Sequence, residues 1–485
     1  MPAIEEIEAL AKRRGIFWLS SELYGGFAGF YDYGPIGTAL KRKLENQWRS
    51  YFLGLDPNFF EIDARQIMSE KVFRASGHLD SFVDPIAKCK KCGAAHRADH
   101  IMEEFLHESF EGMTPAQLNK IIKEKGIRCP KCKGELGEIS IFNMMFRVPV
   151  GPTGEMAGYL RPETAQGAYV SFAQSFEVCR KKLPLGLAIV GRAFRNEISP
   201  RQLTSRMREF DQAELQIFFD PSTVNEHEDW DSVKKKKILL LPCKKKLVEM
   251  TCEEANKDLK IPKFYAYYMS KVQDFFLGVL KIPKEKFRFR ELSEEERAFY
   301  NKIHWDIEAD ISSLGGFKEV GGVHYRTDHD LVGHEKLSKQ KQEIFYDSRR
   351  FIPHVLELSF GVDRLVLAVL DINYNKKEDR IFISLPPSLS PFTAAIFPLV
   401  NKDGLPEKAM EVYCKLRTIF DCFYDDTGSI GKRYYRQDEV GTAFCITVDH
   451  QTLEDGTVTV RDRDSTKQER IKMDVLADFI CGKLK

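Results

Sequence analysis

The chain has 485 residues, 43% of them hydrophobic and 30% charged, which is longer than one hydrophobic core usually organises and outside the composition of disordered or membrane-spanning chains. Lysine and arginine (73) balance aspartate and glutamate (72), so the net charge of +1 leaves any nucleic-acid affinity to local patches. The 11 cysteines are thinly spread except for two Cys-x-x-Cys pairs, a pattern that suits a metal site in a reducing compartment better than disulfides.

Residues 1–17 carry Glu5, Glu6, Glu8, Lys12, Arg13 and Arg14 around an Ile4, Ile7, Leu10 stripe, which predicts a helix and no signal peptide, hence a cytoplasmic protein with no membrane partner. A glycine and aromatic run (24–33) precedes a second helix from about Thr38, with Leu40, Leu44, Trp48, Tyr51 and Phe52 at helical spacing. Residues 86–140 are lysine-rich and cysteine-bearing, and a helix inside them opens at Thr114-Pro115 and stops at Gly126. Strands are expected over 185–197 and 210–219, joined by a polar loop. The lysine runs 234–237 and 244–246 mark 221–298 as a second insertion, with a solvated face as the simplest reading of the lysines. Sheet pattern returns over 302–327, and 355–370 runs from an apolar strand through Gly361 into an amphipathic helix. After Pro386, Pro387 and Pro391, a compact α/β domain is expected: a strand at 392–400, a helix at 405–420, a hairpin over 444–460 turned at Asp455-Gly456, and a helix over 473–484.

The hairpin Gly191-Arg-Ala-Phe-Arg-Asn-Glu197, returning through Arg206-Met-Arg-Glu-Phe210, brings arginines, a glutamate and an aromatic ring together. Such a set can clamp a nucleoside triphosphate: Arg195 as a forked contact to phosphate or carboxylate, Phe210 as a flat face for a purine. A surface ion-pair ladder over a core phenylalanine is the bland alternative. The two cysteine pairs, Cys89/Cys92 and Cys129/Cys132, form knuckles 36 residues apart that can close a tetrahedral zinc site. His96 and His100 are spare donors, and reduced surface cysteines are the alternative.

These segments resemble the three motifs of the class II aminoacyl-tRNA synthetases. Tyr31-Asp-Tyr-Gly-Pro35 resembles motif 1, Phe194-Arg-Asn-Glu197 with Arg206 to Phe210 resembles motif 2, and Ser359-Phe-Gly-Val-Asp-Arg364 resembles motif 3. Within the class, Phe73-Arg-Ala-Ser-Gly-His78, Arg161-Pro-Glu-Thr-Ala-Gln-Gly167 and Asn196-Glu-Ile-Ser-Pro200 resemble the homodimeric, archaeal and eukaryotic-like glycyl-tRNA synthetases. Two positions depart from the family pattern: Glu-Pro-Ser-x-Gly stands as Glu357-Leu358-Ser359-Phe360-Gly361, and Gln216 occupies a frequent acid position.

The resemblance implies an α+β catalytic domain on an antiparallel sheet with a zinc-ribbon-like insertion, plus a C-terminal α/β anticodon-binding domain. The implied layout is 1–87 and 141–386 catalytic, 88–140 zinc-binding, and 387–485 anticodon-binding. It further implies ATP-dependent activation of glycine to the adenylate and transfer to the 3′ end of tRNA(Gly), in a homodimer built on motif 1. Arg195, Glu197 and Arg364 are the implied catalytic residues. ATP would be held by these with Asn196, Arg206, Arg208, Phe210, Glu319, Val320 and Gly361, with Mg²⁺ at Glu319. Glycine would be held by Arg74, Glu163, Phe210, Glu214, Glu357, Ser359 and Gly361. A buried carboxylate cluster without a cation is costly, so these acids are expected to be partly protonated when empty or to await an ammonium. Lys432, Arg433, Tyr434, Tyr435 and Arg436 would present charge and rings to unstacked anticodon bases. Competing readings are a prolyl or threonyl enzyme, a non-catalytic protein that keeps the fold, and a zinc-bearing RNA-binding module.

Overall fold

The computed structural model describes residues 2–484 except 107, 109, 111, 112, 201 and 299. Nine strands form the central sheet. Their spatial order is Val248–Thr251, Lys237–Leu241, Phe287–Glu291, Ile303–Ile311, Gly316–Thr327, His354–Gly361, Glu209–Phe219, Leu185–Phe194 and Phe59–Glu61. Neighbours are antiparallel except where Lys237–Leu241 meets Phe287–Glu291 and where Leu185–Phe194 meets Phe59–Glu61.

Strand alternation decides what each face carries. Along His354–Gly361, Leu356, Leu358 and Phe360 enter the main core, so Glu357 and Ser359 face the other way. Along Glu209–Phe219, Ala213, Leu215, Ile217 and Phe219 enter that core, and Phe210, Gln212, Glu214 and Gln216 take the opposite face. The helices Pro35–Leu53, Lys263–Asp274 and Val362–Ile372 close the apolar face. Pro35 opens its helix at the first position, where its missing N–H costs nothing. Gly37 follows because a Cβ there would sit 1.9 Å from the Ile16 carbonyl oxygen.

The stretch 221–298, expected as a second insertion, is continuous with this body. Three of its strands extend the central sheet, and Ile238, Leu240, Tyr265, Tyr268 and Phe275 are buried in the main core. Its lysine runs flank those apolar stretches, which is why composition alone suggested a separate unit.

Residues 83–143 form a three-stranded antiparallel sheet with helices Ala98–Leu106 and Pro115–Lys125 around a core of their own, including Ala87, Met102, Leu118 and Ile122. Thr114 and Gly126 cap the second helix as expected, through a capping box and a left-handed C-cap.

The C-terminal sheet runs Cys422–Tyr424, Ala394–Pro398, Phe444–Val448, Thr457–Asp462, Gln468–Lys472. Helices Leu405–Leu416 and Leu476–Lys483 pack on one face, and Ile430–Val440 on the other. The expected simple hairpin over 444–460 is corrected here. Its strands pair antiparallel, but Asp449 accepts from the Thr452 N–H and starts a short helix, His450–Asp455, between them. Polar contacts tie this domain to the rest, with Arg13 and Arg14 on Glu439, and Arg380 on Asp438.

Candidate active site

A cleft opens on the polar face of the central sheet, between the strands carrying Phe210, Ser359 and Glu319 and the loop 203–207. Its floor is acidic. Glu214, 2% exposed, accepts hydrogen bonds from Thr164 Oγ1 (2.6 Å), Ser359 Oγ (2.7 Å) and Gln212 Nε2 (2.9 Å), all from neutral groups. Burial, then the charges of Glu357 and Glu163, push its carboxyl up to about 8, and the hydroxyl donors only soften the rise.

Glu163 and Glu357 have a different neighbour. Arg326, itself buried, donates to Glu163 (3.2 Å), Glu357 (3.1 Å) and Asp330 (3.0 Å) and lies 3.9 Å from the Tyr300 ring centroid. Burial raises the Glu163 carboxyl, but Arg326 and then His78, 3.5 Å away, outweigh it and hold the group well below the usual range. Burial lifts Glu357 above the usual range, and Arg326 offsets only part of the rise. Sequence reasoning missed Arg326, Asp330 and His78 as parts of the floor. Spacing gave no signal for Arg326, because its role exists only once three distant segments converge on it.

The rim is cationic. The Arg195 guanidinium sits 5.4 Å from the centroids of both Phe82 and Phe210, and its Nε donates to the Pro162 carbonyl (3.1 Å). Arg206 pairs with Glu197 (2.8 Å), and Arg364 pairs with Glu319 (2.9 Å) while its Nε donates to the Ser205 carbonyl (3.0 Å). His304 and His324, also absent from the sequence reading, form the side wall with ring centroids 4.1 Å apart.

One elongated cleft therefore offers a buried, under-neutralised carboxylate at one end and half-exposed arginines at the other. An ammonium suits the first and phosphates the second.

Residues 153–373 match the tRNA synthetase class II core domain of the G, H, P, S and T enzymes, and residues 393–483 match an anticodon binding domain. A glycine–tRNA ligase of Pyrococcus horikoshii is 39% identical over 97% of this chain and 97% of its own. That of Pyrococcus furiosus is 40% identical over 97% of each, and that of Methanocaldococcus jannaschii 38% over 99% of each. The chain belongs to the glycine–tRNA ligase family.

Of the residues that the glycine–tRNA ligase resemblance assigns to the site, the structure gathers Arg195, Glu197, Arg206, Phe210, Glu319, Gly361 and Arg364 at the nucleotide end, and Glu163, Glu214, Glu357 and Ser359 at the amino-acid end. Four others lie elsewhere. The Arg74 side chain is 58% exposed on the surface of helix Glu70–Ala75, paired with Glu70 of the preceding turn. Arg208 is held outward by the carbonyls of Glu197 (3.0 Å) and Ala28 (2.8 Å). Asn196 meets the cleft's border through its backbone, donating to the Met144 carbonyl (2.8 Å). Val320 is buried in the core, because a β-bulge beside Ile307/Glu308 turns it away from Glu319.

The four knuckle cysteines fit a zinc ion. Their sulfurs all lie within 4.8 Å of one another, with Cys89 to Cys132 at 3.5 Å and Cys92 to Cys129 at 3.8 Å. Thiolates about 2.3 Å from a tetrahedral zinc stand about 3.8 Å apart. Both knuckles share one backbone pattern, the Gly93 N–H donating to the Cys89 carbonyl and the Lys133 N–H to that of Cys129. A side chain at Gly134 would crowd Cys89 Sγ and Cys132 Sγ, each 3.2 Å from a Cβ there.

In the anticodon-binding domain, the basic aromatic run divides. Arg433 is buried and donates to the carbonyls of Asp426 (2.5 Å) and Gly428 (2.8 Å), and Tyr434 bonds Thr447 (2.6 Å). These two hold the domain together. Tyr435 is 51% exposed and Lys432 is exposed beside it, while Arg436 pairs with Asp425 (2.6 Å).

Proposed function

We propose that the chain activates glycine with ATP and transfers it to the 3′ end of tRNA(Gly), using the two ends of this cleft as separate subsites. The observation that carries the reading is Glu214, a buried carboxylate with three neutral donors and no cation within hydrogen-bonding distance. Glycine's ammonium completes that set, displacing the proton that the empty carboxyl retains. Glu163 and Glu357, fixed by Arg326, supply additional negative potential.

At the other end, the glycine carboxylate attacks the α-phosphorus of ATP and pyrophosphate leaves in line. This displacement needs positioning and charge neutralisation rather than a protein nucleophile. Arg195 neutralises the α-phosphate and orients the carboxylate, Phe210 stacks on adenine, and Arg364 exchanges Glu319 for the terminal phosphate. Arg206, tethered by Glu197, stands beside them. The half-exposed Glu319 carboxylate is a hard oxygen donor of the kind that Mg²⁺ takes alongside phosphate oxygens, and the ion would supply further charge neutralisation. A zinc ion on Cys89, Cys92, Cys129 and Cys132 would be structural, since four thiolates leave no open position.

Residues 1–87 and 141–386 form the proposed catalytic unit, and residues 387–485 present Lys432 and Tyr435 to the anticodon. No helix among the described residues is long and apolar enough to cross a membrane, and the cytoplasm is the proposed location. A homodimer is supported by the edge strand Phe59–Glu61, whose outer side has no partner strand among the described residues, and by exposed Phe60 and Val178 near it.

Pyrophosphate exchange with each amino acid supplied in turn tests the reading. Exchange should depend on glycine alone. Exchange supported by proline or threonine and not by glycine would overturn it.

A further inference from the structure

The two ends of the cysteine-bearing insertion meet beneath Arg195. Phe82 ends one side of the neck and Met144 the other, and the Met144 N–H donates to the Phe82 carbonyl (3.1 Å). Each then touches the motif 2 hairpin: the Phe82 ring lies 5.4 Å from the Arg195 guanidinium, and the Met144 carbonyl accepts the Asn196 N–H (2.8 Å). Past the neck, the paired strands run from Val83↔Asn143 to Ile86↔Ser140 and reach the cysteine knuckle at the Cys89↔Leu136 bridge. The other side of Phe82 faces His78, 5.9 Å between centroids, which leans on Glu163.

Arg195 has one printed hydrogen bond from its side chain, to the Pro162 carbonyl, and carries no carboxylate partner comparable to Glu197 for Arg206 or Glu319 for Arg364. Two aromatic faces supply the lateral constraint, one from the sheet (Phe210) and one from the insertion neck (Phe82). A ring face attracts a guanidinium without consuming its N–H donors, so those donors stay directed at an incoming oxyanion. Phe210 cannot do this alone if its free face also takes a purine.

We propose that Phe82 is a positioning residue for Arg195, so that the neck of the metal-bearing insertion sets where the guanidinium meets phosphate. This rests on the reading in which Arg195 contacts the α-phosphate. The insertion is then part of the catalytic apparatus through its base, and its sequence between 83 and 143 is free to vary only as far as that base stays in place.

The test uses the full-length protein with Phe82→Leu, which keeps apolar volume and removes the ring, and Phe82→Tyr, which keeps the ring. Phe82→Leu should lower kcat of glycine-dependent pyrophosphate exchange about tenfold, with KM for glycine changed less than roughly twofold and Phe82→Tyr close to wild type. Zinc content and melting temperature, measured in parallel, should not change. Wild-type exchange in Phe82→Leu, or an equal fall in Phe82→Tyr, overturns the proposal. If Phe82→Leu does not fold, fluorinated phenylalanines at position 82 keep the shape and weaken the ring's negative face. A graded fall in kcat with fluorination is expected, and a flat response overturns the proposal. Arg195→Ala in the same assay separates the two ideas. Unchanged exchange there sinks the phosphate role of Arg195, whereas a loss there with no response at Phe82 sinks the positioning role alone.

Discussion

At the floor of the cleft, four carboxylates surround one guanidinium, and only Glu163, Asp330 and Glu357 bond to it, leaving Glu214 to neutral donors. At the rim, Arg206 and Arg364 already hold carboxylates, and Arg195 holds a carbonyl between two rings. The floor thus stores a charge deficit that a bound cation removes, whereas the rim stores arginines that must exchange one oxygen partner for another. Selectivity for a small ammonium-bearing substrate comes from the first arrangement, and handling of phosphates from the second. Nothing in the second distinguishes one amino acid from another.

The comparison breaks most severely if Arg326 is removed. Arg326→Met leaves Glu163, Glu357 and Asp330 buried without their common cation, and stripping one partner from a buried charge network costs about 3–5 kcal/mol. Chemical denaturation should show that loss. A stability within about 1 kcal/mol of wild type would mean that the floor is not organised by Arg326.

Arg195→Ala strikes the rim instead. Glycine-dependent pyrophosphate exchange should fall on the order of 10²- to 10³-fold, the scale of removing one donor from a transition-state charge, while the glycine affinity set at the floor changes little. An equal fall in glycine affinity would show that the two ends do not divide the work.

Two smaller effects sharpen the division from outside the cleft. Cys129→Ser should release zinc, measured by elemental analysis, and loosen residues 83–143, since metal binding and local folding are coupled. Full zinc content and unchanged stability would argue against a structural site. Truncation near Pro391 should leave exchange within roughly threefold of wild type while abolishing tRNA charging, because the interface lost is one of exposed or half-buried ion pairs such as Arg13 to Glu439. Parallel loss of both activities in a folded truncated chain would contradict that independence.

Much of this was legible in the sequence where local rules decide. The alternation Phe210, Gln212, Glu214, Gln216 announced a polar strand face, and the paired knuckles announced their sulfur cluster. Thr114 and Gly126 marked both ends of a helix through backbone chemistry that neighbouring residues settle. What escaped was set by long-range meeting. Arg326 becomes the floor's cation only through Glu163, 163 positions away in sequence. The bulge that buries Val320 depends on pairing with the Ile303–Ile311 strand, and no composition signal marks it. Arg74 sits in a family signature whose His78 turns inward while Arg74 meets Glu70 outside, a difference of helix face that the motif does not encode. Likewise Arg433 reads as a nucleic-acid contact until its carbonyl partners are seen.

The most direct test of the central claim is glycine affinity as a function of pH, in the wild type and in Glu214→Gln. Because the folded-state carboxyl is raised from 4.5 to about 8, the empty pocket keeps its proton below that pH and must release it when the ammonium binds. Wild-type affinity should therefore rise about tenfold per pH unit between roughly pH 6 and 8 and then level, with one proton released per glycine in that window. Glu214→Gln should bind ATP normally, bind glycine about 10- to 100-fold more weakly at pH 8, and show no such slope. A wild-type affinity that is flat from pH 6 to 8, or a Glu214→Gln protein with undiminished glycine binding, would contradict the account.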